Sequence, residues 1–102
     1  MRYRVITLPA AEADIRIAAA WMDEHLPGGA AKWVESIRLA IASLSDMPGR
    51  CPIASEYRGS DVVVRQLVHG RRRHRYRILF EIGDDAVRVL RVRHGAQAQI
   101  FR

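Results

Sequence analysis

Between residues 75 and 94 the chain reads RYRILFEIGDDAVRVLRVRH, and no other stretch restricts its fold as much. In the first run Tyr76, Ile78, Phe80 and Ile82 alternate with Arg75, Arg77 and Glu81. That is the period of a half-buried antiparallel strand. Gly83-Asp84-Asp85 supplies a tight turn, so residues 86–94 return as the second arm of a hairpin. In that arm the phase slips: Val87 and Val89 share one parity, Leu90 and Val92 the other. Either a bulge sits near Val89-Leu90 or the strand is covered on both faces at its centre. A further strand-like run starts at Val63, and the turn after it carries Arg71, Arg72 and Arg73.

Upstream the pattern changes. Residues 3–8 alternate closely enough to form a first strand, which Pro9 stops; its fixed φ and missing N–H suit the first turn of a helix, with Glu12 and Asp14 near the positive helix end. Ala11, Ile15, Ala18, Met22 and Leu26 then recur at helical spacing. Pro27-Gly28-Gly29 ends this helix, and Ala30, Trp33, Val34, Ile37, Ile41 and Leu44 mark one side of a second. So short a link makes the two antiparallel neighbours, with Trp21 and Trp33 placed to pack between them as core. Met47-Pro48-Gly49 closes the pair, and residues 50–61 read as an irregular crossover back to the sheet. The order is β-α-α-β-β-β, an α+β domain spanning residues 1–102, with a helical hairpin on an antiparallel sheet.

At 102 residues the chain supports one modest core. The longest apolar run is far short of a membrane span, and MRYRVITLPA lacks the apolar stretch of a signal peptide. Cys51 is the single cysteine, so no intramolecular disulfide forms and the reducing cytoplasm is the expected location. Charge is local: residues 63–102 carry ten arginines against Glu81, Asp84 and Asp85, whereas residues 1–62 are nearly balanced. A positive field confined to a sheet points to an acidic or polyanionic partner. His69 and His74 lack ligand spacing, so neither a metal nor a cofactor is expected.

PAAEADI, DMPGRCP, YRILFEI and VRVLRVRHGAQ, in that order and spacing, resemble the RelE/ParE superfamily of bacterial toxins from type II toxin–antitoxin modules. The resemblance implies a curved antiparallel sheet carrying the helical hairpin, and a cognate antitoxin whose C-terminal segment wraps the toxin and blocks it. An amphipathic chain this small should leave an apolar groove beside a sheet edge or helix for that partner.

Two activities divide the superfamily. A RelE-type ribosome-dependent mRNA endoribonuclease needs proton carriers and cations on the phosphate. Its candidates here are Arg65, Arg77, Arg91 and His94, with Glu56 as a distant base; the tail GAQAQIFR offers no tyrosine or second histidine, and Phe101 can stack but cannot transfer a proton. A ParE-type inhibitor of DNA gyrase needs a binding surface instead. The HGA ending and the long helical hairpin resemble the ParE branch; the positive sheet then supplies the expected target contacts at Arg77, Arg91, Arg93 and His94, and the clustering of Arg71, Arg72 and Arg73 in one turn is expected to form an anion patch. Two further readings stay open: an inactive toxin relative acting only as an interaction partner or scaffold, and a plain nucleic-acid-binding module. Against the latter, Tyr76 and Phe80 share the apolar parity and are expected to be buried, removing the aromatics that single-strand readers expose.

Overall fold

The computed structural model describes residues 2–71 and 74–95. In chain order the elements are β1 (Arg4–Thr7), α1 (Pro9–His25), α2 (Gly29–Ala42), β2 (Arg65–His69), β3 (Tyr76–Ile82) and β4 (Ala86–His94). Pro9 opens α1 directly after an extended Leu8, and Gly28 turns the chain into α2 at φ 82°. The helical pair is clamped by Arg38, whose guanidinium donates to both carboxylate oxygens of Glu12 at 2.8 and 2.7 Å.

The four strands lie in the order β1-β4-β3-β2. Strands β2, β3 and β4 form the expected antiparallel meander, but β1 runs parallel to β4, so the sheet is mixed. Two helices and a crossover separate β1 from the meander, and a long connection can deliver a strand in either direction, whereas a tight turn cannot. Gly70 permits the β2–β3 turn: its φ is 100°, and a Cβ there would collide with the His74 carbonyl oxygen.

The phase slip in β4 is a bulge. Leu79 pairs with Arg91 and Phe80 with Val89, leaving Leu90 as the extra residue. Val87, Val89 and Val92 thereby all reach the helical side, where they join Ile15, Ile37, Ile41, Ile78 and Phe80 in the main core. Leu90 faces the other side and packs against a second cluster of Ala54, Val64 and Leu79.

That second cluster corrects the picture of a half-buried β3. Residues from Tyr76 to Phe80 are buried on both faces, because the crossover folds back over the sheet. Ala54 N–H donates to the Val64 carbonyl at 2.8 Å and Gln66 N–H to the Pro52 carbonyl at 3.0 Å. Leu79 and Leu90 supply the outer face with the apolar area that makes this cover favourable.

Candidate functional site

The arginines of the sheet do not form one open positive face. Arg77 is only 5% exposed. Its Nη1 and Nη2 donate to Glu56 at 2.9 and 2.5 Å, and its Nε donates to Gln66 at 2.9 Å. This bidentate pair, under the crossover, replaces the solvated strand arginine that alternation suggested. The Arg77 hydrogen bonds hold the Glu56 carboxyl below its ordinary range, against the opposing effect of burial. Arg65 donates to the Cys51 carbonyl at 2.7 Å, tying β2 to the crossover. Arg88 pairs with Glu81 across the hairpin. Arg71 and Arg75 are exposed, while Arg72, Arg73 and Phe101 lie outside the described residues.

A concavity runs between α1 and the second half of β4. It consists of two adjoining hollows of about 560 and 500 Å³ that share Trp21, Tyr76 and His94. The first is edged by Asp14, Ile17, Arg91 and Arg93, the second by Met22, Leu26, Trp33 and His74. His94 meets the Tyr76 ring edge-on at 5.1 Å, and Tyr76 in turn leans on Trp33 at 4.9 Å. Burial pushes the Tyr76 hydroxyl above its ordinary value. Trp21 was expected in the core between the helices. It is instead 51% exposed on the groove wall, its ring stacked on His25 at 4.1 Å.

The groove exists because β1 is short. It pairs with β4 only from Ala86 to Val89, and beyond that point the edge of β4 opposite β3 has no strand beside it among the described residues. Asp14 partly substitutes for the missing neighbour: its Oδ2 accepts the Val92 N–H at 2.9 Å and Arg91 Nε at 2.8 Å, and its Oδ1 accepts Arg91 Nη2 at 3.0 Å. The Asp14 hydrogen bonds raise the Arg91 guanidinium above its ordinary value.

Of the nuclease candidates, the structure places Arg65 and Arg77 on structural contacts, Arg91 on Asp14, and His94 against Tyr76. Glu56 does approach Arg91 and Arg93, in a separate hollow of about 320 Å³ on the outer face, but its carboxylate is engaged by Arg77. A second pairing, Ser36 with His69 at 3.0 Å, is not a nucleophile and base. Ser36 Oγ already donates to the Trp33 carbonyl at 2.9 Å, so it can only accept from His69 Nε2–H. Among the described residues no cluster of three His, Cys, Asp or Glu side chains could hold a metal ion, and no helix is long and apolar enough to cross a membrane.

Sequence reasoning passed over Asp14, Ile17 and Trp21 as site residues. Their signal is a second line along α1 at i, i+3 and i+7, beside the stripe that faces the core.

A family model described as the ParE toxin of the type II toxin-antitoxin system, parDE, matches residues 5–99. A solved structure described as the chromosomal ParDE TA system from P. aeruginosa shares this fold at a TM-score of 0.73, with 19% identity over 91% of this chain and 96% of that one. No curated protein matches.

Proposed function

This chain belongs to the ParE toxin family of type II toxin–antitoxin systems, and on that premise we propose that it arrests growth in the cytoplasm by binding DNA gyrase, and that a cognate antitoxin neutralises it by occupying the groove between α1 and β4. Arg91, Arg93 and His94 are the target contacts in this reading. Arg77 is withdrawn from the set, because its guanidinium is buried against Glu56 and Gln66.

The observation that carries inhibition over RNA cleavage is the Glu56–Arg77 pair. A nuclease needs a carboxylate or imidazole ready to accept the 2′-hydroxyl proton beside cations on the phosphate. Asp14 is engaged by the Arg91 fork, and the Glu56 carboxylate, which shares a hollow with Arg91 and Arg93, is held ionised by a bidentate guanidinium, which weakens it as a base. A binding inhibitor has no such requirement.

Replacement of His94 by Gln separates the two activities, since glutamine keeps hydrogen-bonding capacity but does not titrate near neutrality. General acid–base catalysis contributes about 10²–10⁴-fold, so a nuclease using His94 loses that much. The expected result is toxicity within about one order of magnitude of wild type, well inside that catalytic range. Induced cells should accumulate DNA breaks, and purified protein should inhibit gyrase supercoiling while leaving mRNA on programmed ribosomes intact. Robust mRNA cleavage that disappears in His94→Gln would establish the ribonuclease reading in its place.

A further inference from the structure

We propose that Arg91 and the Val92 amide form a carboxylate-binding subsite of the groove, which an acidic side chain of the antitoxin enters by displacing Asp14. The inference rests on the groove being the antitoxin's docking site. Three donors converge on one carboxylate here: Arg91 Nε, Arg91 Nη2 and the Val92 N–H, all within 3.0 Å of Asp14 oxygens. Such a cradle is selective for a planar anion. Asp14 fills it from a neighbouring helix, not from the sheet.

Two features make the occupant exchangeable. The first is the edge itself: on the side away from β3, β4 beyond Val89 has no strand beside it among the described residues, and an extended segment laid there must place an acceptor on the Val92 N–H. Asp14 holds that position, so a strand cannot dock in register while it stays. The second is charge. The hollow beside this edge brings Arg91, Arg93 and His94 together with Asp14, its one acid among the described residues, so a docking segment with a carboxylate keeps Arg91 neutralised after Asp14 leaves. An apolar segment without an acid would strand the guanidinium. The subsite therefore selects acidic segments, and Asp14 acts as an internal competitor that weakens binding of all others.

Asp14→Asn tests this. Asparagine still offers an oxygen to the Val92 N–H but cannot match the Arg91 fork, so the guanidinium is released to the incoming acid. Titration calorimetry with the cognate antitoxin should show affinity raised about tenfold, the effect of one charge-assisted contact, and a steeper loss with salt. Arg91→Lys provides an independent arm, because lysine cannot form the bidentate contact; affinity should fall about tenfold with the circular dichroism spectrum unchanged. Unchanged or weaker binding by Asp14→Asn, or unchanged binding by Arg91→Lys, overturns the subsite while leaving the docking groove standing. A wild-type toxin that does not bind the antitoxin at all overturns the groove reading and the subsite with it.

Discussion

Glu56→Ala should lower the unfolding free energy of this toxin by about 3 kcal/mol, the low end for removing one partner of a buried ion pair. The glutamate and Arg77 are both largely buried, and Arg77 reaches Glu56 through two hydrogen bonds and Gln66 through a third. Without Glu56 a guanidinium remains beneath the crossover, its charge uncompensated. For a domain of this length about 3 kcal/mol corresponds to roughly 12–24 °C in melting temperature. Differential scanning calorimetry on wild type, Glu56→Ala and the double variant Glu56→Leu/Arg77→Met decides the cause. The double variant should recover most of the loss, because removing both charges abolishes the desolvation cost along with the attraction. A Glu56→Ala protein that melts within a degree of wild type would mean that water reaches the pair.

The same carboxyl sets an acid limb. Hydrogen bonds from Arg77 hold Glu56 in the folded chain below its ordinary value of 4.5. A depressed folded value means that its stabilisation is complete above 4.5 and is lost as pH falls through the lower folded value. Glu12, lowered chiefly by its hydrogen bonds from Arg38, acts in the same direction, with less effect because both partners are about a third exposed or more. Stability measured between pH 7 and pH 2 should therefore fall more gently in Glu56→Ala than in wild type.

Trp21→Ala should weaken the antitoxin complex about 30-fold, the equivalent of about 2 kcal/mol for an interfacial tryptophan anchor. The indole stands on the ridge between the two hollows and is half exposed in the free toxin, with Ile17 one turn earlier 70% exposed. Its removal costs the free chain little, about 0.5 kcal/mol as for other surface positions. Leu39→Ala is the control: Leu39 is equally apolar and 68% exposed, but it sits on α2 away from the groove. Titration calorimetry with the two variants should show a large loss for Trp21→Ala and none for Leu39→Ala. Equal affinities across the three proteins would move the antitoxin contact to another face.

Local rules were sufficient for the framework. Pro9 fixed the start of α1, Pro27-Gly28 the break between helices, and Gly83-Asp84-Asp85 the hairpin, because each acts through the backbone of a few consecutive residues. The slip in parity at Val89-Leu90 announced the bulge for the same reason: side-chain period is a local property, and an extra residue shows as a phase change. Fates that depend on what arrives from elsewhere were not legible. Arg77 reads as a surface cation in its strand, and only the return of residues 52–64 across the sheet buries it against Glu56, twenty-one positions away. Trp21 reads as core, but the direction of α1 over β4 turns it to the groove. Asp14 reads as a charge near a helix start, yet because β1 ends at Thr7 while β4 continues to His94, it reaches a bare strand edge seventy-eight residues on. Sequence determined which segments are helix and strand; the lengths at which strands stop pairing, a consequence of global packing, decided which charges are buried and where a partner can dock.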